Sequence, residues 1–152
     1  RDMKMNMATF RVKDPLTGKD VPYRDFKENL TRDYYAILRA IDKGSKTELR
    51  RNVQNFVKRF NYNQSLCSKC HGEDPYLFTT PTIATLIRDL DNEANKTIPN
   101  KEVLRRTLQD LYRANCTGCH RVHYPATYVQ RIWYDVLPKA PQEEGQSQEQ
   151  QE

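Results

Sequence analysis

The sequence predicts an all-α fold, an irregular helical domain with little other regular structure. Apolar residues recur at intervals of three and four along five segments, which is typical of one face of an α-helix. No segment shows a convincing alternation of apolar and polar residues, as a half-buried strand would. Only 37% of the residues are hydrophobic and 30% are charged, so we expect a thin side-chain core.

The 152 residues divide into three parts. Residues 1–22 carry Pro15, Gly18 and Pro22 and are expected to form an extended, irregular N-terminal arm. Residues 23–140 are expected to form one folded domain. Residues 141–152 consist almost entirely of Gln, Glu, Ser and Gly, which predicts a disordered tail.

The first two predicted helices cover residues 23–43 and about 46–60. Gly44 suits the position just after a helix C-terminus, and Ser45 and Glu48 have the spacing of a capping box that begins the next helix. The second helix is predicted to turn apolar residues inward and basic residues toward water. The inward set is Leu49, Val53, Phe56, Val57 and Phe60, and the outward set is Arg50, Arg51, Lys58 and Arg59.

Three further helices are predicted after the sequence Asn-Tyr-Asn at 61–63, which is expected to end the second helix. The third begins at Pro81, which suits a first helical position, and the fourth is capped by Asn100. The fourth runs almost directly into Cys116. The fifth covers residues 124–137.

Two copies of the pattern C-x-x-C-H carry the chemistry of the chain. They are Cys67-Ser68-Lys69-Cys70-His71 and Cys116-Thr117-Gly118-Cys119-His120. This pattern is the attachment signature of c-type haem, because each thiol can add to one vinyl group of a porphyrin. The histidine that follows is then held beneath the iron as its proximal ligand. The sequence therefore predicts two covalently bound haem c groups, on Cys67, Cys70, Cys116 and Cys119, with His71 and His120 as iron ligands.

A zinc site and a disulfide framework are the alternatives. Two C-x-x-C pairs also suit a tetrahedral Cys₄ zinc site. However, each pair is followed by His, which such a site does not need, and the 45 residues at 71–115 exceed the roughly 15–20 residues of a zinc ribbon. A disulfide across C-x-x-C is strained and reducible, and a structural framework would rarely place His after both pairs.

The two motifs resemble those of small dihaem c-type cytochromes. The likeness continues more loosely over residues 116–137, where C-T-G-C-H-R-V-H-Y-P-A-T-Y-V-Q-R-I-W is similar to the pattern of bacterial dihaem cytochromes. Residues 1–45 show no such likeness. The resemblance implies an electron carrier that is matured after export, and therefore a periplasmic or equivalent location. The start at Arg1 is what we expect of a chain whose signal peptide has been removed.

The distal iron ligands are the open part of this hypothesis. Of the three histidines, only His123 remains, and H-x-x-H spacing resembles multihaem cytochromes in which the second His ligates a neighbouring haem. His123 is therefore the candidate distal ligand of the first haem. Met3, Met5 and Met7 are the weaker candidates for the second haem, beside Tyr, Lys or an open position.

The function predicted from these residues is single-electron transfer between redox partners, without catalysis. The net charge of +5 favours docking onto a partner with an acidic surface. Nucleic-acid binding is not expected, because basic and acidic residues are interspersed, and no apolar segment is long enough to span a membrane. The alternatives are a haem subunit of a larger redox complex, and binding of NO, CO or peroxide at an open second haem.

Overall fold

The computed structural model describes residues 9–71 and 81–116, with the backbone alone for Cys70, His71 and Pro81. This part of the protein is mainly helical, which confirms the predicted fold class at that level. In chain order the elements are β1 (Arg11–Lys13), β2 (Asp20–Pro22), α1 (Tyr23–Lys43), α2 (Lys46–His71), α3 (Pro81–Ala94), α4 (Lys101–Leu111) and a π-helical turn (Tyr112–Cys116). The predicted fifth helix and the C-terminal tail lie outside the described residues.

Two parts of the predicted arm, Arg11–Lys13 and Asp20–Pro22, form an antiparallel two-stranded sheet, so the expectation of irregular structure was wrong there. Val12 pairs with Val21 in the register of the two strands. The turn between them is closed by Asp14, whose Oδ1 accepts a hydrogen bond from the backbone N of Leu16 at 2.8 Å. Gly18 completes the turn at a φ of 70°. Strands of three residues are too short to produce a recognisable alternation in sequence.

Helix α1 ends and α2 begins at the residues that the local sequence signals predict. Gly44 adopts the left-handed conformation, with a φ of 72°, and its backbone N donates to the carbonyls of Ala40 and Ile41. The Oγ of Ser45 then accepts from the backbone N of Glu48 at 3.3 Å and caps α2. The predicted boundary between the two helices is therefore confirmed.

Helix α2 continues to the end of the first C-x-x-C-H motif, and the predicted end at residues 61–63 was wrong. Two tertiary contacts explain the continuation. The Oδ1 of buried Asn63 accepts a hydrogen bond from the hydroxyl of Tyr23, and the ring of Tyr62 packs edge-on against Phe26 with centroids 5.5 Å apart. These contacts outweigh the modest helix propensity of Asn and Tyr.

Successive helices run antiparallel to one another. Gly44 reverses the chain between α1 and α2. Arg50, near the start of α2, donates to the carbonyl oxygen of Ala94 at the end of α3. Arg105 of α4 forms a 2.7 Å ion pair with Asp42 near the end of α1. Helices α2 and α4 therefore run parallel, with both C-termini at the same end of the bundle.

The described helices share one side-chain core, which is more extensive than the composition suggested. Its buried members include residues from all four helices: Leu30, Ile37, Ile41, Val53, Phe56, Phe60, Ile83, Leu90, Leu104, Leu108 and Leu111. Burial of these side chains supplies the main driving force for folding. None of the described helices is long and apolar enough to cross a membrane.

Arg59 was predicted to face water, and this was wrong. Its side chain is only 10% exposed and forms ion pairs with Asp14 at 3.1 Å and Asp33 at 2.7 Å. The sheet turn and α1 supply these carboxylates, so the charged group ties both to α2. Burial acts to raise the pKa of Asp14, but hydrogen bonds from Leu16 and Arg59 outweigh it and lower that pKa overall. For Asp33, burial dominates and raises the pKa.

Candidate functional site

Both C-x-x-C pairs begin at the same end of the helical bundle. The first pair lies in the last turns of α2, and the second begins at Cys116, the last residue of the π-helical turn after α4. The long separation of the pairs in sequence has a simple structural cause. Helix α3 takes the chain away from this end, and α4 brings it back.

The first pair lies on a regular helix. Cys67 is 8% exposed and belongs to the shared core. Cys70 follows three positions later on the backbone of α2, so the two residues occupy neighbouring positions on one helix face. His71 is the last residue of α2. The structure therefore places the first motif on a helix, with the side chain of Cys67 buried.

The second pair begins beside the same helix face. Cys116 is half-buried and lines a cavity of about 40 Å³ together with Tyr34, Phe60 and Tyr112. Phe60 precedes Cys67 by two helical turns on α2, which corresponds to about 10 Å along the axis. Cys116 therefore lies beside α2 at the level of Phe60, on the helix face that carries Cys67 about 10 Å further along the axis. Cys67 and Cys116 are not joined to each other by a disulfide.

Tyr34 lines this cavity, and its side chain is held in place by a contact with α4. Its hydroxyl donates to the carbonyl oxygen of Leu108 at 3.2 Å, which connects α1 to α4. Burial is the main cause that raises its pKa well above the usual range, and the neighbouring Cys116 adds to the effect. The hydroxyl therefore stays protonated at neutral pH and acts as a hydrogen-bond donor that holds the two helices together.

The other predicted site residues lie outside the described part of the chain, or have side chains that do. They are Cys119, His120, His123, Met3, Met5 and Met7, together with the side chains of Cys70 and His71. Their assignments stay predictions. Within residues 9–71 and 81–116, no three His, Cys, Asp or Glu side chains form a group that could hold a metal ion.

A surface feature that the sequence did not predict lies between α1 and α4. It is an open groove of about 610 Å³. Its lining includes Tyr34, Tyr35 and Leu38 from α1 and Arg106, Gln109 and Arg113 from α4 and the turn after it. We call it the α1/α4 groove. Its basic residues could be read from the sequence, but their position opposite two tyrosines depends on the packing of two helices distant in sequence.

Comparisons with known proteins found little similarity. No family model matches the chain, and no solved structure matches it. A curated protein, the H3 lysine-79 specific histone-lysine N-methyltransferase of Debaryomyces hansenii, is 27% identical over 85 residues. This match covers 56% of the present chain and 7% of that protein. None of these comparisons names a cytochrome, and none assigns the chain to a family.

Proposed function

We propose that the chain is a helical binding module whose two C-x-x-C pairs share one zinc ion. The observation that carries the proposal is the parallel course of α2 and α4, which directs both pairs to the same end of the bundle. Four thiolates around one Zn²⁺ form a closed structural site, with Zn–S distances of about 2.3 Å. Such a site clamps helix ends and leaves no coordination position for catalysis.

The fold removes one of the two objections to zinc. A separation of 45 residues is too long for a zinc ribbon, in which a short loop joins the ligand pairs. Here the separation contains two helices that return the chain to its starting end. Cys67 and Cys70 supply one pair of ligands from a helix held in place by the core, and Cys116 and Cys119 supply the other.

The similarity to a short part of a much longer protein supports a role as one region of a larger protein. The match covers 7% of a protein named as an H3 lysine-79 specific methyltransferase. We assign no methyl-transfer step to this chain. Instead, we propose that it contributes binding surface and structural support beside the functional domains of a larger protein.

The second candidate function is the dihaem electron carrier, which is favoured by the histidine directly after each pair. In that case each pair would hold its own haem c, His71 and His120 would ligate iron, and His123 would be the distal ligand of the first haem. Haem supplies one-electron redox chemistry when bound, and the chain would hold and orient it.

One experiment separates the two candidates. The full chain is produced with added zinc, with and without a co-expressed cytochrome c maturation system. Zinc is then measured by elemental mass spectrometry, and haem is measured by the intact mass of the chain and by visible absorption. We expect one zinc per chain and no covalent haem in either preparation. A mass increase of two haems would overturn the zinc proposal in favour of the electron carrier, and a chain with neither group would exclude both.

A double variant tests whether the two pairs share one site. In a shared site, Cys67→Ser with Cys70→Ser removes all of the bound zinc, because two thiolates alone hold it weakly. In two separate sites, the same variant would lose one group and keep the other. Ser68→Ala, within the same motif, is the matched control and should leave the zinc content unchanged.

A further inference from the structure

The α1/α4 groove combines an aromatic wall with a basic one. Tyr35 is 46% exposed, although it is a large side chain on a helix that otherwise buries its apolar residues. Its ring lies edge-on to Tyr34, with centroids 5.5 Å apart. Tyr34 is itself held by its hydrogen bond to Leu108 and by the ring of Tyr112, 6.0 Å away. The aromatic wall is therefore preorganised for a ligand.

The basic wall carries two arginines that are available for binding. Arg106 and Arg113 are exposed, and neither forms an ion pair with a carboxylate in the described part of the chain. By contrast, Arg105 is already paired with Asp42 at 2.7 Å. Arg106 and Arg113 are seven positions apart, which places them on the same side of the helix at a spacing of about 10 Å. Both guanidinium groups can bind carboxylates in a bidentate manner.

We propose that the α1/α4 groove binds an extended acidic peptide segment of a partner protein. An extended chain advances about 3.3 Å per residue, so acidic residues three positions apart match the two arginines. An apolar residue between them would pack against Tyr35 and Leu38. This inference rests on the proposed function as a binding module and names the class of its partner.

The composition of the groove favours a peptide over a nucleic acid. Leu38 and the tyrosines make much of the wall apolar, which suits the side chains of a peptide. Arg106 and Arg113 form a short basic patch, whereas nucleic-acid sites usually follow the backbone with a longer basic track.

The test uses fluorescence anisotropy with the full chain, produced with added zinc and with its zinc content measured. The probe is a labelled twelve-residue peptide that carries two Asp-Leu-x-Glu repeats, and the comparison probes are a peptide with Lys and Arg in the acidic positions and a twelve-nucleotide oligo-dT. We expect saturable binding of the acidic peptide alone, weakened by added salt. Tighter binding of the oligonucleotide, or equal binding of the basic peptide, would overturn the proposal.

Charge-matched variants locate the binding site. Arg106→Glu with Arg113→Glu should weaken peptide binding at least about tenfold, because two charge-assisted contacts become repulsive. The control, Arg51→Glu with Arg88→Glu, makes the same change in net charge on exposed positions of α2 and α3 and should change affinity less than about twofold. Equal effects of the two double variants would contradict the groove as the site.

Measurements on the same samples keep this proposal distinct from the zinc proposal. Zinc content and thermal unfolding are recorded for every variant. A chain that binds peptide through Arg106 and Arg113 but holds no zinc refutes the metal site alone. A chain that holds one zinc but does not bind the acidic peptide refutes the groove proposal alone. Tyr35→Ala, which keeps both charges, should weaken binding through loss of the apolar contact.

Discussion

Replacement of Arg59 by Leu tests how the sheet and α1 are attached to α2. The guanidinium lies between Asp14 and Asp33, at 3.1 Å and 2.7 Å, and the exposed fractions of the three side chains are 10%, 1% and 13%. Removal of the arginine leaves two buried carboxylates without a cation. Loss of one partner from such a buried ion pair costs about 3–5 kcal/mol of the free energy of unfolding. We expect a loss in that range at neutral pH.

The same variant should recover stability in acid. In the wild-type protein the lowered pKa of Asp14 contributes stability above its unfolded pKa, and this contribution is lost as the pH falls through the folded value. Without Arg59, Asp33 is buried without a cation, so its folded pKa, already raised by burial, lies further above the unfolded value. Asp14 keeps its backbone hydrogen bonds but loses the part of the lowering of its pKa that comes from Arg59. Protonation then favours the folded state, and the difference between variant and wild type should shrink between neutral pH and about pH 5.

Urea unfolding followed by far-ultraviolet circular dichroism measures both effects. Arg51→Leu is the control, because Arg51 is exposed on the same helix and its replacement should change stability by no more than about 0.5 kcal/mol. If Arg59→Leu costs as little as the control at neutral pH, the buried ion pairs do not hold the sheet. If its cost stays constant on acidification, the loss does not come from the two carboxylates.

Three smaller predictions concern helix ends. Asn100→Ala removes the side-chain oxygen that accepts from the backbone N of Val103 and should cost about 1 kcal/mol in urea unfolding; no change would exclude a capping role. Gly44→Ala should cost about 1 kcal/mol, because its φ of 72° disfavours Ala, and a stabilised variant would contradict this. Glu93→Gln should destabilise at neutral pH and match the wild type in strong acid. The reason is that hydrogen bonds from Lys96 and the backbone of Asn100 lower the pKa of Glu93, so its stabilising effect disappears as the pH falls through that value.

Local signals in the sequence predicted the features that depend on local physics. Gly44, Ser45 and Asn100 satisfy backbone groups within one turn of themselves, so their roles can be read from a few residues. The continuation of α2 could not be predicted in this way. It depends on Tyr23 and the sheet, whose hydrogen bonds to Asn63 and Tyr62 of α2 span 40 and 49 positions in the sequence.

The burial of Arg59 shows the same limit for charges. Its position next to Phe60 lies at the edge of the apolar stripe of α2, where the sequence pattern favours exposure. The side chain is buried because the turn at Asp14 covers it and supplies a carboxylate from 45 positions earlier. The arrangement of the candidate site likewise depends on packing between segments that are distant in sequence. The cysteines were identified from sequence, but the position of Cys116 at the same end of the bundle as Cys67 depends on the directions of α2 and α4.

The two proposed sites share a wall, and this has a thermodynamic consequence. Tyr34 and Tyr112 line both the α1/α4 groove and the cavity beside Cys116. A zinc ion bound by Cys116 as proposed would restrain the turn that carries Tyr112, and with it one side of the groove. A peptide that binds the restrained groove more tightly must, by linkage, raise the affinity for the metal by the same factor. The shared tyrosines thus provide a direct physical route by which a metal that clamps the helix ends influences a binding surface on the side of the bundle.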